Sequence, residues 1–455
     1  MTIKEEAHKM KLQSPKLAAC SNELRNTALE RIAQELQSHR EEIFAANRKD
    51  LENAKANGVS EAVMKRLKFD EGKLQGVIEG LRQLQDLEDP IGKVQILREL
   101  DEDLVLKRIS CPIGVIGVIF EARPDALVQI SSLCIKSGNC AILKGGRETA
   151  ETNRALFALI KESAEKAGLP QGCLVQAELH NEIDELLTCN KDVDLLIPRG
   201  SNAFVQYIMN NTKIPVMGHA DGICHTYVDV DADLTKAARI IVDAKTQYTA
   251  ACNATETLLV HRKIAERALP QLAKALRDAG VCLNGTKEAM TYLGDGETTG
   301  DGETTGDGKT TGDGKTTGKD KRAGRIMDEE DFATEYLDLA LSVKLVSGVE
   351  EAVDHINRFG SHHTDAILTE NDETAAYFMQ MVDSAGVYRN CSTRFADGFR
   401  YGFGAEVGIS TSKIHARGPV GLEGLMTYKY QLTGNGQIVA DYASGVKQFH
   451  FKNLK

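Results

Sequence analysis

The stretch IGVIGVIF at 113–120 is the first of six short apolar runs that decide the fold of this chain. Each run has the length of a buried strand, and helix-like amphipathic stretches lie between them, for example 149–167 and 233–246. Short buried strands that alternate with helices predict parallel sheet in a doubly wound α/β fold. The other five runs are AILK (141–144), VDLLIP (193–198), KIPVM (213–217), HTYVDV (225–230) and ETLLV (256–260).

The first 85 residues, which precede these runs, have the pattern of several helices. Apolar residues recur at helical spacing at Leu24, Ala28, Ile32 and Leu36. Ser38 followed by Glu41 is the pattern of a capping box, so we expect a helix to begin after Ser38.

The tail of the chain has the alternation of a β-hairpin. Apolar residues occupy every second position on both sides of Gly434-Asn435-Gly436, at Tyr428, Tyr430, Leu432, Ile438 and Ala440. A two-stranded hairpin is marginally stable by itself, so we expect this one to join a larger sheet.

Residues 294–317 are four copies of a six-residue unit, GDGETT twice and then GDGKTT twice. Because the segment has no apolar residue, it cannot offset the cost of ordering, and we predict a disordered loop. The closely spaced aspartates raise calcium binding as an alternative, but the repeat lacks the closing glutamate of an EF-hand loop. The α/β pattern resumes near Asp331, so the repeat interrupts a domain.

Composition limits the classes of function. The chain has 455 residues, 42% of them hydrophobic and 27% charged, which is typical of an enzyme with two or three structural units. A net charge of −11 argues against a nucleic-acid partner, and any phosphate site must rest on local cations and backbone N–H groups. Neither a signal-peptide pattern at the start nor a run of about 18 apolar residues is present. The ten scattered cysteines include no C-x-x-C pair, so we expect a cytoplasmic chain with reduced thiols.

Three segments could carry chemistry. Cys252, in YTAACNATETLLVH (248–261), precedes a predicted strand, where a thiol can be accessible among backbone N–H groups. A buried structural cysteine is the more common case for one cysteine among ten. LKGGRET (143–149) and IPRGSN (197–202) each end a strand and could meet phosphates, although ordinary strand-to-helix turns have the same pattern. His362-His363 lacks further ligands at metal spacing, so we predict a solvated loop and no metal site.

Together, several segments resemble the γ-glutamyl phosphate reductase family, acylating members of the aldehyde dehydrogenase superfamily. The likeness covers nearly the whole chain outside the repeat and looks closer to fungal-type enzymes than to the shorter bacterial ones. The blocks HADGICH, ACNATET and RGPVGLEGL are specific to the family, so Cys252 becomes a candidate nucleophile. The matching segments are 112–126, 137–149, 197–202, 214–229, 251–261, 363–371 and 392–425.

The resemblance implies an aldehyde dehydrogenase-like α/β fold with a Rossmann-type cofactor domain, an α/β catalytic domain and a small β oligomerisation arm. The cofactor domain would comprise 1–94 and 114–224, and the catalytic domain 225–427, with the repeat inserted at about 294–323. The arm would comprise 95–113 and 428–455. The cofactor would be NADP(H), with Lys144 at the adenosine ribose, Gly200 and Ser201 at the pyrophosphate and Glu335 at the nicotinamide ribose. Gly146 belongs to the same cofactor-binding set.

Departures from other aldehyde dehydrogenases indicate chemistry on an acyl phosphate. The position of their water-activating glutamate is matched by His219, and that of their oxyanion asparagine by Arg123. Arg147 stands where an acid often selects NAD. These replacements suit reduction of a thioester and release of phosphate, with Arg123 as a candidate to neutralise the leaving group. Candidates to bind the amino acid end of the substrate are Arg394, Ser410 and Arg417.

The resemblance therefore implies an enzyme that reduces L-glutamyl 5-phosphate to L-glutamate 5-semialdehyde with NADPH, the second step of proline biosynthesis. We expect a homo-oligomer, a possible glutamate 5-kinase partner, no nucleic acid and no membrane association. Two alternatives are an NAD-linked aldehyde oxidase of the same superfamily, which needs an acid at position 219, and a cofactor-free binding protein with a vestigial site.

Overall fold

The computed structural model describes residues 2–178, 181–218, 221–293, 324–414 and 416–454. The repeat and His219 lie outside the described residues, as do the predictions made for them. The chain divides into two compact units, one formed by 1–220 with 398–455 and the other by 221–397. No helix within the described ranges has both the length and the apolar character that spanning a bilayer requires.

The described ranges contain fifteen α-helices and sixteen strands. The helices are α1 (Ile3–Ala18), α2 (Asn22–Ser38), α3 (Arg40–Ala56), α4 (Glu61–Leu67), α5 (Glu71–Asp86), α6 (Pro124–Ser137), α7 (Ala150–Lys166), α8 (Asn181–Leu187), α9 (Asn202–Asn210), α10 (Leu234–Thr246), α11 (Ala265–Asp278), α12 (Lys287–Leu293), α13 (Val349–Phe359), α14 (Asp372–Met381) and α15 (Val439–Ala443). The strands are β1 (Val94–Asp101), β2 (Leu104–Pro112), β3 (Val115–Phe120), β4 (Cys140–Lys144), β5 (Leu174–Ala177), β6 (Leu195–Arg199), β7 (Cys224–Val228), β8 (Thr255–His261), β9 (Cys282–Gly285), β10 (Ala340–Val346), β11 (Thr364–Leu368), β12 (Gly386–Arg389), β13 (Gly408–Ser410), β14 (Gly418–Val420), β15 (Met426–Thr433) and β16 (Lys452–Asn453).

The helical prediction for the first 85 residues is confirmed, because α1 to α5 occupy them. The predicted capping box is wrong. Helix α2 continues through Ser38, whose hydroxyl donates to the carbonyl of Gln34, and α3 follows after the single residue His39. A serine hydroxyl that bonds back to the preceding turn is not available to cap the next helix.

The first unit contains a parallel sheet with the strand order β5-β4-β3-β6. Every residue of β3 and β4 is buried, which explains why these strands read as continuous apolar runs. The run at 213–217 forms no strand and makes one isolated bridge, between Leu196 and Val216. Pro215 has no N–H to donate to a ladder, so pairing does not extend past it.

The same unit contains an antiparallel sheet with the order β15-β2-β1-β16. The tail strand joins a sheet as expected, but the hairpin is wrong. Strand β15 pairs along its whole length with β2, and the segment predicted as its partner contains the short helix α15. An eight-residue ladder with β2 satisfies far more backbone groups than the short run after Gly436 could.

The second unit contains a six-stranded parallel sheet with the order β12-β11-β7-β8-β10-β9, and its helices are α10 to α14. Strands β7, β8 and β11 are buried at every residue. The prediction of parallel sheet in an α/β fold is confirmed. By contacts alone, 398–427 and the antiparallel sheet belong to the first unit and 221–224 to the second, and the predicted division into cofactor domain, catalytic domain and arm stays a prediction.

A buried ion pair connects helix α10 with strand β8 of this six-stranded sheet. The ammonium of Lys245, in α10, is 2.6 Å from Oε2 of Glu256, in β8, and both side chains are fully buried. Burial raises the pKa of Glu256 to about 7, and Lys245 opposes that rise. Burial also lowers the pKa of Lys245. Each charge therefore depends on the other for its stability inside the unit.

We predict that Lys245→Met destabilises the chain by about 3–5 kcal/mol at pH 7, as measured by urea unfolding. Without the cation, the folded pKa of Glu256 lies further above its unfolded value, so ionisation favours unfolding. The loss should therefore be largest at neutral pH and shrink as the pH falls toward about 4. Lys274→Met, which breaks an exposed pair with Asp278, is the matched control and should change stability little. A pH-independent loss would contradict this account.

Candidate active site

The loop that carries Cys252 is fixed by its neighbours in the second unit. Cys252 is half-buried and lies just before β8. The side-chain amide of Asn253 donates to the carbonyl of Ala396 at 2.8 Å, and the hydroxyl of Thr393 donates to the carbonyl of Asn253 at 2.7 Å. The main chain that presents the thiol is therefore held at the residue that follows it.

Gly222 lies against the main chain of Cys252. A Cβ atom at position 222 would come within 2.2 Å of the Cys252 carbonyl oxygen and 2.4 Å of its Cα, so only glycine fits. The N–H of Gly222 donates to Oε1 of Glu335 at 3.0 Å. One glycine thus connects the cysteine loop with the glutamate that the sequence predicts for the nicotinamide ribose.

A second cysteine also holds this loop. The thiol of Cys224, the first residue of β7, donates to the Cys252 carbonyl at 3.3 Å. Burial raises the pKa of the Cys224 thiol well above its usual value. Cys224 therefore stays protonated at neutral pH and keeps this hydrogen bond, which leaves Cys252 as the accessible thiol of the two.

His363 is the functional candidate that sequence reasoning missed. Its Nε2 lies 3.1 Å from Sγ of Cys252, and its side chain is fully buried, so the prediction of a solvated loop is wrong for this residue. Three adjacent parallel strands, β11, β7 and β8, bring His363, Cys224 and Cys252 to the same edge. The signal in the sequence was the position of each residue at the amino end of a buried strand.

Arg394, a predicted substrate-binding residue, belongs to the second unit as well. It lies in a 3-10 helix, Thr393–Phe395, next to the threonine that holds the cysteine loop. Its Nε donates to Oε1 of Gln247 at 2.9 Å, and its guanidinium carbon is 6.0 Å from the centre of the Tyr248 ring. These contacts fix the guanidinium group within the part of the second unit that carries Cys252.

The predicted ribose-binding residues of the first unit lie at the end of β4. The ammonium of Lys144 donates to the carbonyl of Gly145 at 2.8 Å, and burial lowers the pKa of Lys144. Arg147 is exposed and begins a 3-10 helix, Arg147–Thr149. A Cβ atom at Gly146 would approach Oε1 of Glu148 to 2.2 Å, so the Glu148 carboxylate lies directly against this glycine.

The predicted pyrophosphate-binding turn lies between β6 and α9. Ser201 is the N-cap residue of α9, and its N–H donates to Oε2 of Glu121 at 3.3 Å. A Cβ atom at Gly200 would lie 2.6 Å from the same carboxylate oxygen. An acidic oxygen thus already occupies the position where the positive end of the helix dipole attracts an anion.

The remaining predicted residues also belong to the first unit. Arg123 is exposed and is the N-cap residue of α6, after Ala122 with a left-handed φ of 49°. Ser410 is buried in β13, where its hydroxyl accepts from the N–H of Ser412. Arg417 is half-buried and immediately precedes β14. The candidate residues are therefore divided between the two units.

Comparison with known proteins identifies the class. The sequence profile of the aldehyde dehydrogenase family matches residues 2–291. A γ-glutamyl phosphate reductase from Acetivibrio thermocellus is 53% identical over 454 residues, which is 100% of this chain and 99% of that protein. A crystal structure of the γ-glutamyl phosphate reductase from Thermotoga maritima has a TM-score of 0.87 at 35% identity and covers 95% of this chain and 99% of that one. The chain therefore belongs to the aldehyde dehydrogenase family and, within it, to the γ-glutamyl phosphate reductases.

The expected closeness to fungal-type enzymes is wrong. The γ-glutamyl phosphate reductase from Saccharomyces cerevisiae is 36% identical and has a TM-score of 0.52, covering 97% of this chain and 100% of that one. The bacterial relative from Acetivibrio thermocellus is considerably more similar in sequence, at 53% identity.

We predict that Gly222→Ala lowers reductase turnover by about a hundredfold, because the added methyl group must push the Cys252 main chain away. Gly80→Ala is the matched control, since no atom lies within 4 Å of a Cβ at that position in α5. Turnover and melting temperature measured for both variants check the prediction. Full activity in Gly222→Ala would contradict it.

Proposed function

We propose that this chain reduces L-glutamyl 5-phosphate to L-glutamate 5-semialdehyde with NADPH and releases phosphate, through a thioester on Cys252. The observation that carries the proposal is a half-buried thiol at 252 in a loop fixed by Gly222, Cys224 and Thr393. The full-length likeness to proteins named γ-glutamyl phosphate reductase supports the choice of substrate. The product would serve proline biosynthesis.

The chemistry of the chain's own residues follows from this site. The sulfur of Cys252 attacks the γ-carbonyl carbon, and the bond to the phosphate oxygen breaks, which leaves a thioester. Arg123 is proposed to neutralise the departing phosphate. His219, in place of a water-activating glutamate, is proposed to leave the thioester unhydrolysed. When bound, NADPH supplies the hydride that reduces the thioester carbon, and the C–S bond then breaks to release the aldehyde.

The predicted cofactor-binding residues are proposed to hold a dinucleotide. Members of the family use NAD or NADP. Gly200 and Ser201, at the start of α9, would hold the pyrophosphate, which would replace the Glu121 carboxylate as the acceptor from the N–H of Ser201. Lys144, Gly146 and Arg147 would hold the adenosine ribose and its 2′-phosphate. Glu335, already beside the cysteine loop, would bind the nicotinamide ribose.

The amino acid end of the substrate requires a clamp for a carboxylate and an ammonium group. The guanidinium groups of Arg394 and Arg417 can bind a carboxylate through two parallel hydrogen bonds, and Ser410 can accept from an ammonium. Arg394 is supported by its position beside the cysteine loop, where Gln247 and Tyr248 hold its guanidinium group.

The assembly and the location of the protein remain proposals. A homo-oligomer is supported by the antiparallel sheet, whose strand β15 exposes its side chains from Thr427 to Thr433. The large apolar residues exposed there are Tyr428, Tyr430 and Leu432. Exposed apolar surface of this kind typically marks an interface between chains. We further propose a cytoplasmic location and delivery of the labile acyl phosphate by a glutamate 5-kinase partner.

A spectrophotometric assay of the reverse reaction tests the proposed activity. Glutamate 5-semialdehyde with NADP should increase the absorbance at 340 nm only when phosphate is present. We predict that Cys252→Ser abolishes this activity and leaves NADPH binding near that of the unmodified chain, because a serine hydroxyl is not ionised near neutral pH. Cys391→Ser, also half-buried, is the matched control and should stay active. Activity of Cys252→Ser within tenfold of the unmodified chain would reject the nucleophile.

A further prediction concerns the preference of the enzyme for NADPH over NADH. The two cofactors differ only in the 2′-phosphate, and a charge-assisted hydrogen bond to it contributes about 1.5–3 kcal/mol, or roughly ten- to a hundredfold in affinity. Arg147→Glu should lower the preference for NADPH by at least that factor, mainly through weaker NADPH binding. Lys161→Glu makes the same charge change at an exposed position in α7 and should leave the preference unchanged. An unchanged preference in Arg147→Glu would reject the assignment.

A further inference from the structure

We propose that His363 is a catalytic acid–base residue, which takes the thiol proton of Cys252 as the sulfur attacks and gives it to the departing phosphate. The inference rests on the proposed function, since it needs Cys252 as the nucleophile. It adds a residue for which the sequence predicted a solvated loop and no role in catalysis.

The side chains of His363 and Cys252 lie in direct contact. Nε2 of His363 is 3.1 Å from Sγ of Cys252, within hydrogen-bonding distance for sulfur. Nδ1 of the same ring is 2.9 Å from the hydroxyl of Thr364. With its proton on Nδ1, the imidazole donates to Thr364 and keeps a lone pair on Nε2 that can accept from the thiol. The pair is therefore arranged for transfer of the thiol proton to Nε2.

Main-chain hydrogen bonds fix the position of His363. The carbonyl of His363 accepts from the N–H of Gly386 at 2.9 Å, and the carbonyl of His362 accepts from the N–H of Ala385 at the same distance. His362 has a left-handed φ of 59°, and its Nδ1 lies 2.6 Å from the carbonyl oxygen of Asp383. The ring of His362 therefore contacts Asp383, whereas the buried ring of His363 lies beside the Cys252 thiol. Because Gly222 and Cys224 fix the other partner, neither group can move away freely.

The other titratable groups around His363 and Cys252 have hydrogen-bond partners of their own. Each is bonded to a group other than the Cys252 sulfur: Cys224 to the Cys252 carbonyl, Glu335 to the N–H of Gly222, Asp365 to His225 and Ser384, and Glu256 to Lys245. Among the contacts of the described residues, the imidazole is the base at hydrogen-bonding distance from the sulfur. A thiolate is the reactive form of cysteine, so this contact supplies what the nucleophile needs.

The proton balance of the reaction needs such a group. The S–H proton passes to Nε2 while the C–S bond forms, and the C–O bond to phosphate breaks with its electron pair on oxygen. An acyl phosphate dianion that leaves without a proton would form PO4³⁻, and the imidazolium supplies the proton that lets it leave as HPO4²⁻. After the hydride has been added, the C–S bond breaks with its electrons on sulfur. The thiolate then regains one proton from solvent through His363, which matches the one proton that the overall reduction consumes.

The test measures the rate at which iodoacetamide alkylates Cys252 between pH 6 and pH 10. Peptide mass spectrometry quantifies the alkylated cysteine. The test requires neither substrate nor cofactor. We expect His363→Gln to slow alkylation of Cys252 about tenfold at pH 7 and to move the rise in rate to higher pH. Reductase turnover should fall by about 10²- to 10⁴-fold, the usual contribution of general acid–base catalysis. His8→Gln makes the same substitution at an exposed histidine of the first unit, so it is the matched control and should behave like the unmodified chain.

Unchanged alkylation together with turnover within threefold of the unmodified chain in His363→Gln would overturn the proposal. Full turnover in Cys252→Ser would instead overturn the proposed function, so the two failures are distinguishable. If His363→Gln and a second variant, His363→Asn, both fail to fold by circular dichroism, the profile of the unmodified chain decides. A rise in Cys252 alkylation below the ordinary range of a free cysteine, about pH 8.5, supports the proposal, and a rise confined to that range overturns it.

Discussion

The contact between Gly222 and the main chain of Cys252 is the constraint on which the site of the second unit depends. Because Gly222 has no side chain, the segment that precedes β7 can touch the segment that precedes β8. The N–H of Gly222 also donates to Glu335. The proposed nucleophile and the residue proposed for the nicotinamide ribose both contact this one backbone position. Cys224, two residues later, adds a hydrogen bond to the same carbonyl of Cys252. A side chain at 222 would push the Cys252 main chain away from both Glu335 and Cys224.

The parallel sheets could be predicted from the sequence because their strands are buried on both faces and read as unbroken apolar runs, as in IGVIGVIF at 113–120. The predictions that failed depended on partners distant in the chain. The tail strand pairs with β2, more than 300 residues earlier, and no local pattern could favour that edge over a hairpin. The run at 213–217 has the apolar character of a strand, but Pro215 interrupts its ladder.

The sequence singles out a candidate residue where its own segment carries the family resemblance. Cys252 and Glu335 are candidates of this kind, and both lie against Gly222 in the structure. His363 was missed because its segment looks polar and lies 111 positions from its partner. Its role depends on strand order, since β11, β7 and β8 must be adjacent before their amino ends meet. The roles of Cys252 and Glu335 stay predictions, as do those of Arg123 in catalysis and of Ser410 and Arg417 in substrate binding.

The most direct test of the account is the detection of the covalent intermediate on Cys252. The chain would be mixed with glutamate 5-semialdehyde and NADP without phosphate, quenched in acid and digested for mass spectrometry. The account predicts a glutamyl thioester on the peptide that contains Cys252, which disappears when phosphate is added before the quench. NADP reduction that continues through many turnovers without phosphate, or an acyl group on another cysteine, would contradict it.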